Sequence, residues 1–375
     1  MPVIHNSSDA RRLAKKRLPW MVFDYIDGAA GEGYAELSNR QLLQQLQLQP
    51  RVLNNVEQRS LAVDLFGRQA QLPFGISPIG MCNLSSPHAD RWLATHAAKH
   101  DIPCGVSTAA SSSLENMATW SEGRAWFQLY FSGNEASSFA LIDRARESGY
   151  QTLVLTVDVP EVGRRPRELR RGFKMPFRMG PSQIIDFAMH PRWSLTTLMN
   201  GRPRLANFGG QYGAFERTAS RAGADWSLLQ KIRDVWRDKL VVKGVLHSDD
   251  AVKMQQLGVD AVQVSSHGGR QLDSAPPPIK CLAKIRKAVG SEFPLFYDSG
   301  LRSGEDIIKA YACGANFVFL ARPLLYAMAA GGQQGLTQLS EVLAQETSIT
   351  LAQLGLNRLS QVGDDVLVSR ELIKA

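Results

Sequence analysis

The stretch LFYDSGLRSGEDIIKAYACGANFVFLARP, residues 295–323, holds one complete structural unit. It opens with a short apolar run, LFYDSG (295–300), and closes with another, FVFLARP (317–323). Between them SGEDIIKAYACG (303–314) carries apolar residues at helical spacing. Gly314 stands where a helix C-terminus needs a left-handed residue. Strand, helix and strand in this order imply a right-handed crossover joining parallel strands. Both runs end in charge, Asp298 with Arg302 and then Arg322, which a strand end buried only for packing does not need.

Working outward, the same unit recurs. Apolar runs lie at FGISPIG (74–80), CGVST (104–108), WFQLYF (126–131), TLVLTVD (152–158), LVVKGV (240–245) and AVQVSSHG (261–268), making eight with the two above. Helical stretches such as NEASSFALIDRARESG (134–149) and DWSLLQKIRDVWRDK (225–239) separate them. Eight units predict a closed (β/α)8 TIM barrel rather than an open doubly wound sheet. Neither a G-x-G-x-x-G nor a P-loop follows the first run. The expected organisation is one domain over 1–375. Residues 1–73 form an N-terminal helical cap, with Pro19 near a helix start and GAAGEG (28–33) ending it. The barrel fills 74–330, and C-terminal helices occupy 331–375. The span between the fourth and fifth strands is far longer than one helix requires, so a functional insertion is expected over 175–210.

Composition sets bounds. The 375 residues are 44% hydrophobic and 21% charged, which suits a large folded core. No run is long and apolar enough to span a bilayer, and MPVIHNSSDARRLAKKRLPW has no signal-peptide core. Cys82, Cys104, Cys281 and Cys313 are scattered without C-x-x-C spacing, so free thiols, a reducing cytoplasmic compartment and no metal are expected. The net charge of +8 is concentrated: ten Lys/Arg lie from Arg164 to Arg204 against only Glu168 and Asp186. No aromatic interleaving, zinc-finger or basic-zipper pattern accompanies it, so nucleic acid is not the expected partner.

In a barrel of this kind, chemistry gathers at the C-terminal strand ends. Those ends carry Gly80, Ser107, Thr108, Gln128, Tyr130, Thr156, Asp158, Lys243, His267, Arg270, Asp298, Arg302 and Arg322. DSGLRSG and ARP, after the last two strands, offer backbone N–H groups with Arg302 and Arg322, a phosphate site. His267 with Asp158 makes an oriented base, and Arg270 a carboxylate clamp. A phosphate-bearing cofactor beside a base and a carboxylate clamp points to removal of hydrogen from a carbon next to a carboxylate.

SSHGGRQLD (265–273), TVDVPEVGRR (156–165), FQLYF (127–131), VVKGV (241–245) and DSGLRSG…ARP together resemble the FMN-dependent 2-hydroxy-acid dehydrogenase and oxidase family. HPRWSL…NGRPRLANF (190–208) is most similar to its mandelate dehydrogenase branch. The resemblance implies FMN as cofactor and oxidation of an (S)-2-hydroxy acid to the 2-oxo acid. It implies His267 as the base, Asp158 as its partner, and Tyr130 on the substrate oxygen. Arg270 and Tyr25 would bind the carboxylate, with Arg165 a second cation nearby. Ser107, Gln128 and Thr156 would bond the flavin ring, Lys243 its pyrimidine edge, and backbone at Pro78, Ile79 and Gly80 its face. Asp298 would meet the ribityl chain, and Gly300, Arg302, Ala321 and Arg322 the phosphate. The family's Asn before the catalytic His is Ser266 here, and its Gly before the last phosphate Arg is Ala321.

Ala109 stands where glycolate oxidases of the family carry a bulky aromatic, which implies a larger, aromatic substrate such as (S)-mandelate. Gly80 accompanies poor oxygen use in the family's dehydrogenases, which implies a quinone or another electron acceptor such as a cytochrome in place of oxygen. Met175, Phe177, Met179, Ile184, Ile185, Phe187, Trp193, Leu195, Leu198 and Met199, interspersed with Lys174, Arg178, Arg192, Arg202 and Arg204, suit a surface anchor over 175–208. In that reading Trp193 sits at headgroup depth and the protein lies on the inner face of the cytoplasmic membrane; in the alternative the apolar face packs on the barrel or on a neighbouring subunit. A homotetramer is implied by the family. The alternatives are an L-lactate dehydrogenase or an oxygen-using oxidase, then an FMN barrel isomerase or a non-enzymatic basic binding protein.

Overall fold

A computed structural model describes residues 3–131, 133–173, 180–213, 220–368 and 370–373. Two short strands, β1 (Val63–Leu65) and β2 (Arg68–Ala70), pair antiparallel ahead of the barrel. The barrel strands are β3 (Phe74–Ile79), β4 (Cys104–Ser107), β5 (Ala125–Tyr130), β6 (Thr152–Thr156), β7 (Lys239–Val245), β8 (Ala261–Val264), β9 (Leu295–Tyr297) and β10 (Phe317–Leu320). They close in the order β10-β3-β4-β5-β6-β7-β8-β9, every pairing parallel. The strands are apolar because both faces are covered: all of Thr152–Thr156 and Phe317–Leu320 is buried. Each expected run is a strand, and the (β/α)8 expectation holds.

Residues 1–73 are not purely helical. Helices Ser7–Arg17, Trp20–Asp27 and Tyr34–Gln45 are followed by the β1–β2 hairpin. Its turn residues Phe66 and Gly67 have φ of 55° and 79°, a two-residue turn whose backbone matches the strand twist. Phe66 at the tip packs on Trp126 (5.7 Å) and Phe296 (5.6 Å), plugging the N-terminal end of the barrel opposite the strand ends that carry the chemistry. The signal for this hairpin was a single Phe-Gly pair between two short strands.

The insertion forms helices Pro181–Met189 and Pro191–Asn200. Their exposed apolar residues, Ile184, Ile185, Met189, Leu195, Leu198 and Met199, recur at helical spacing on an outer face. Trp193 corrects the sequence expectation. It is buried, donates its indole N–H to the Leu84 carbonyl at 2.8 Å, and packs on Phe187 at 5.4 Å. An aromatic with a satisfied N–H under its own helix pair is a core residue and does not reach a headgroup region. Met175, Phe177, Met179, Lys174 and Arg178 lie outside the described residues. Part of the basic charge is paired within the fold: Arg167 with Asp24 and Asp27, and Arg171 with Asp24, tying the stretch after β6 to the cap. The four cysteines are buried and free. Among the described residues no helix is long and apolar enough to cross a membrane.

Candidate active site

The turn after β8 builds the centre. His267, Gly268 and Gly269 all have positive φ, at 55°, 64° and 74°. A Cβ on Gly268 would lie 2.9 Å from Arg322 Nη1, and one on Gly269 2.4 Å from the Glu36 backbone nitrogen. Only glycine permits so sharp a return of the chain. His267 takes up its left-handed conformation because Ser265 Oγ accepts its backbone N–H at 3.0 Å and Ser299 Oγ accepts that of Gly268 at 3.1 Å.

The imidazole Nδ1 lies 2.9 Å from Asp158 Oδ1, and Nε2 lies 3.3 Å from the Tyr130 hydroxyl. With Nδ1–H donating to the carboxylate, Nε2 presents its lone pair to the cavity. Burial pushes the His267 pKa below its ordinary value, the Asp158 carboxylate opposes that shift, and the net direction is down. The ring is therefore neutral near pH 7 and competent as a base. Tyr130 is pushed well above the usual phenol value, by burial first and then by Asp158, so it stays a hydroxyl donor.

Two guanidiniums flank this base. Arg270 donates to the carbonyls of Tyr25 and Gly28, each at 2.9 Å, and to Glu168 Oε1 at 2.8 Å. Arg165 donates to the Arg270 carbonyl and Gln271 Oε1, both at 3.2 Å, and lies 3.8 Å from Glu168. Two guanidiniums thus meet one buried carboxylate in the cavity wall, and planar cations in that place suit an incoming carboxylate. Tyr25 lines the same cavity, stacked on Phe173 at 4.5 Å, its hydroxyl donating to the Gly80 carbonyl at 3.2 Å.

Lys243 is buried, donates to Ser265 Oγ at 2.7 Å and pairs with Asp298 at 2.9 Å. Burial would raise the Asp298 pKa, but Lys243 and the hydroxyls of Ser265 and Ser299 hold it below the usual carboxylate value. Asp298 also accepts from Gln263 at 2.7 Å, so its oxygens are committed to fixing the lysine. The Arg302 guanidinium donates to the Leu301 carbonyl and to Glu36, and Arg322 to the carbonyls of Ile26, Gly28 and Gly268.

These groups line a cavity of about 530 Å³, with Pro78, Ile79, Gly80, Ser107, Ala109, Gly300 and Ala321 also in its wall. Gln128 and Thr156 stand in register beside Ser107 and Lys243 respectively. The residues fit a flavin phosphate on three counts. Both amide atoms of Gln128 and the Thr156 hydroxyl are buried without a hydrogen-bond partner among the described residues. Buried polar groups in that state call for a polar ligand. Arg322 is buried, yet among the described residues it has no carboxylate within ion-pair distance. Gly80 leaves a bare backbone face in the cavity wall.

Sequence reading passed over several residues. Glu168 was counted only as one acid in a basic run, although RRPREL (164–169) places it one helical turn from Arg165. Val159, Val162, Phe173, Leu205 and Arg221 also line the cavity, and so does Arg204, which the sequence expectation placed in the surface anchor. Arg204 reaches it because Asn207 is buried, accepts the Leu114 N–H at 3.0 Å and donates to the Ser112 carbonyl at 3.3 Å. That staple presses the end of the insertion onto the loop carrying Ala109.

Residues 14–369 match the family model for FMN-dependent dehydrogenase. The chain is 39% identical to (S)-mandelate dehydrogenase of Pseudomonas putida, over 97% of this chain and 94% of that protein. It is 34% identical to L-lactate dehydrogenase of Pseudomonas syringae pv. syringae (strain B728a), over 98% and 99% of the two chains. The crystal structure of the monotopic membrane protein (S)-mandelate dehydrogenase superposes with a TM-score of 0.91 at 38% identity, covering 97% of this chain and 99% of that one. The (β/α)8 fold, the base and carboxylate clamp at the strand ends, and these matches agree: the chain belongs to the FMN-dependent dehydrogenase family.

Proposed function

We propose that the protein oxidises a large or aromatic (S)-2-hydroxy acid, (S)-mandelate being the model substrate, to the 2-oxo acid and passes the electrons to a quinone. The observation that carries this reading is the His267 imidazole, backed by Asp158 at 2.9 Å, set in one cavity with two arginines that share Glu168. The substrate carboxylate binds to Arg270 and Arg165, with Tyr25 beside them. The Tyr130 hydroxyl donates to the substrate oxygen, and His267 Nε2 removes a proton, from the α-carbon or from the hydroxyl. Asp158 stabilises the imidazolium so formed. Bound FMN supplies the acceptor for the two electrons released. Ser107, Gln128, Thr156 and Lys243 would hold its ring, Pro78, Ile79 and Gly80 its face, and Gly300, Arg302, Ala321 and Arg322 its phosphate.

Substrate size rests on the small Ala109 side chain and on the apolar wall of Val159, Val162, Phe173 and Leu205. The runner-up, an L-lactate dehydrogenase, is favoured by the 34% identical relative and needs none of that space. Anaerobic flavin reduction by (S)-mandelate, L-lactate and glycolate separates them: mandelate is expected to give the highest kcat/KM, and a clear win for glycolate or lactate overturns the substrate assignment. Reoxidation should be slow in air and fast with a quinone analogue.

The same reading places the protein on the inner face of the cytoplasmic membrane. Support comes from the exposed face of Ile184, Ile185, Met189, Leu195, Leu198 and Met199, with Arg192 and Arg202 exposed alongside. Side chains of this kind partition into the headgroup boundary, and each nearby basic residue adds about 1 kcal/mol on an anionic surface.

A further inference from the structure

Helix Trp20–Asp27 starts without a cap of its own, because Pro19 offers no side-chain acceptor. The N–H groups of its first turn need partners from elsewhere. Asp186, in the insertion helix Pro181–Met189, supplies them: Oδ1 accepts from Trp20 at 2.9 Å and Oδ2 from Met21 at 3.2 Å. A carboxylate suits that place, since a helix N-terminus favours negative charge. Asp186 is buried, and its other neighbour is His190, whose Nδ1 lies 3.2 Å away and whose ring meets Trp20 edge-on. The opposite end of this eight-residue helix belongs to the cavity. The Tyr25 and Gly28 carbonyls accept from Arg270, and those of Ile26 and Gly28 from Arg322. One short helix is therefore held at its start by the insertion and at its end by the arginines of the site.

We propose that Asp186 is a positioning residue: by capping helix Trp20–Asp27 across the chain, it fixes Tyr25 and Arg270, so that the seating of the insertion on the cap sets substrate affinity. The inference rests on the reading of Tyr25 and Arg270 as carboxylate-binding groups. It makes the insertion part of the substrate site through backbone hydrogen bonds, without the insertion helix touching substrate.

The test uses the full FMN-loaded chain in vesicle-free buffer, with (S)-mandelate as the probe. Asp186→Ala is expected to raise KM about fivefold, the equivalent of one lost helix cap, while the limiting rate of flavin reduction stays within about twofold. Asp186→Asn keeps an acceptor and should fall between. Adding Pro19→Ser to Asp186→Ala gives the helix its own cap and should return KM toward the original value, a rescue that general loosening of the fold does not produce. Tyr25→Phe is measured in parallel. A raised KM for Tyr25→Phe with an unchanged KM for both Asp186 variants overturns the proposal. An unchanged KM for Tyr25→Phe overturns the site reading, and the proposal with it. Should Asp186→Ala fail to accumulate, Asp186→Asn and the double variant decide, and an equal fall of kcat and rise of KM without rescue by Pro19→Ser counts against positioning.

Discussion

His267 and Asp158 meet across a strand. They follow β8 and β6, which are separated by β7, yet Nδ1 and Oδ1 lie 2.9 Å apart. Gly244 of β7 makes this possible: its φ is 102°, and a Cβ there would lie 2.5 Å from the Asp158 Cβ. If His267 is the base, His267→Asn should retain FMN and slow anaerobic flavin reduction by on the order of 10²–10⁴-fold. Stopped-flow reduction at saturating substrate checks it, and a near-native rate removes His267 from the chemistry.

The pH profile follows from the same pair. The neutral imidazole is the active form, and its pKa is lowered from the ordinary 6.5 by burial. Activity should therefore hold through neutral pH and fall as pH drops through that lowered pKa. Asp158→Asn removes the group that opposes the shift, so the acid limb should move further down while the limiting rate falls. An acid limb that moves up in this variant contradicts the assignment.

Glu168 balances the two cavity arginines from a nearly sealed position. Glu168→Gln removes the buried carboxylate that Arg270 and Arg165 both face and should destabilise the fold by about 3 kcal/mol, the cost of breaking a buried pair. A thermal melt with FMN bound reads this directly. A melting temperature equal to the wild type shows that the pair is idle.

Ala109 tests pocket size. Its Cβ would sit 3.1 Å from a Cβ placed at Gly80, so the two small residues define one corner of the cavity. Ala109→Trp should lower kcat/KM for (S)-mandelate by at least tenfold and spare glycolate, because the bulk fills the space a ring would take. Equal losses for both substrates mean the tryptophan disrupts the cavity rather than narrowing it.

The outer face of the insertion is tested with Leu195→Ser, Leu198→Ser and Met199→Ser combined. These side chains are 60%, 77% and 84% exposed, so the change should leave stability and FMN reduction intact. Binding to anionic vesicles should fall strongly, since burying each such side chain contributes about 1.5–3 kcal/mol. Unchanged sedimentation with vesicles excludes this face as the anchor.

The barrel was legible because its strands are buried on both faces and so read as plain apolar runs, each closed by a polar end that packing does not require. Those ends, from Ser107 to Arg322, are written locally, and the chain's own alternation of strand and helix carries them to one mouth. The β1–β2 hairpin was not legible, since three-residue strands leave almost no periodic signal and Phe66 is fixed by the aromatic rings it plugs. Trp193 read as an anchor by composition, whereas its position against Leu84 is decided by packing. Glu168 became a counter-ion, and Asp186 the cap of a helix 166 positions away, only when folding brought distant segments together. Periodicity and turn chemistry are properties of neighbours along the chain; ion pairing and capping between remote segments depend on distances that only the closed barrel and its docked cap and insertion create.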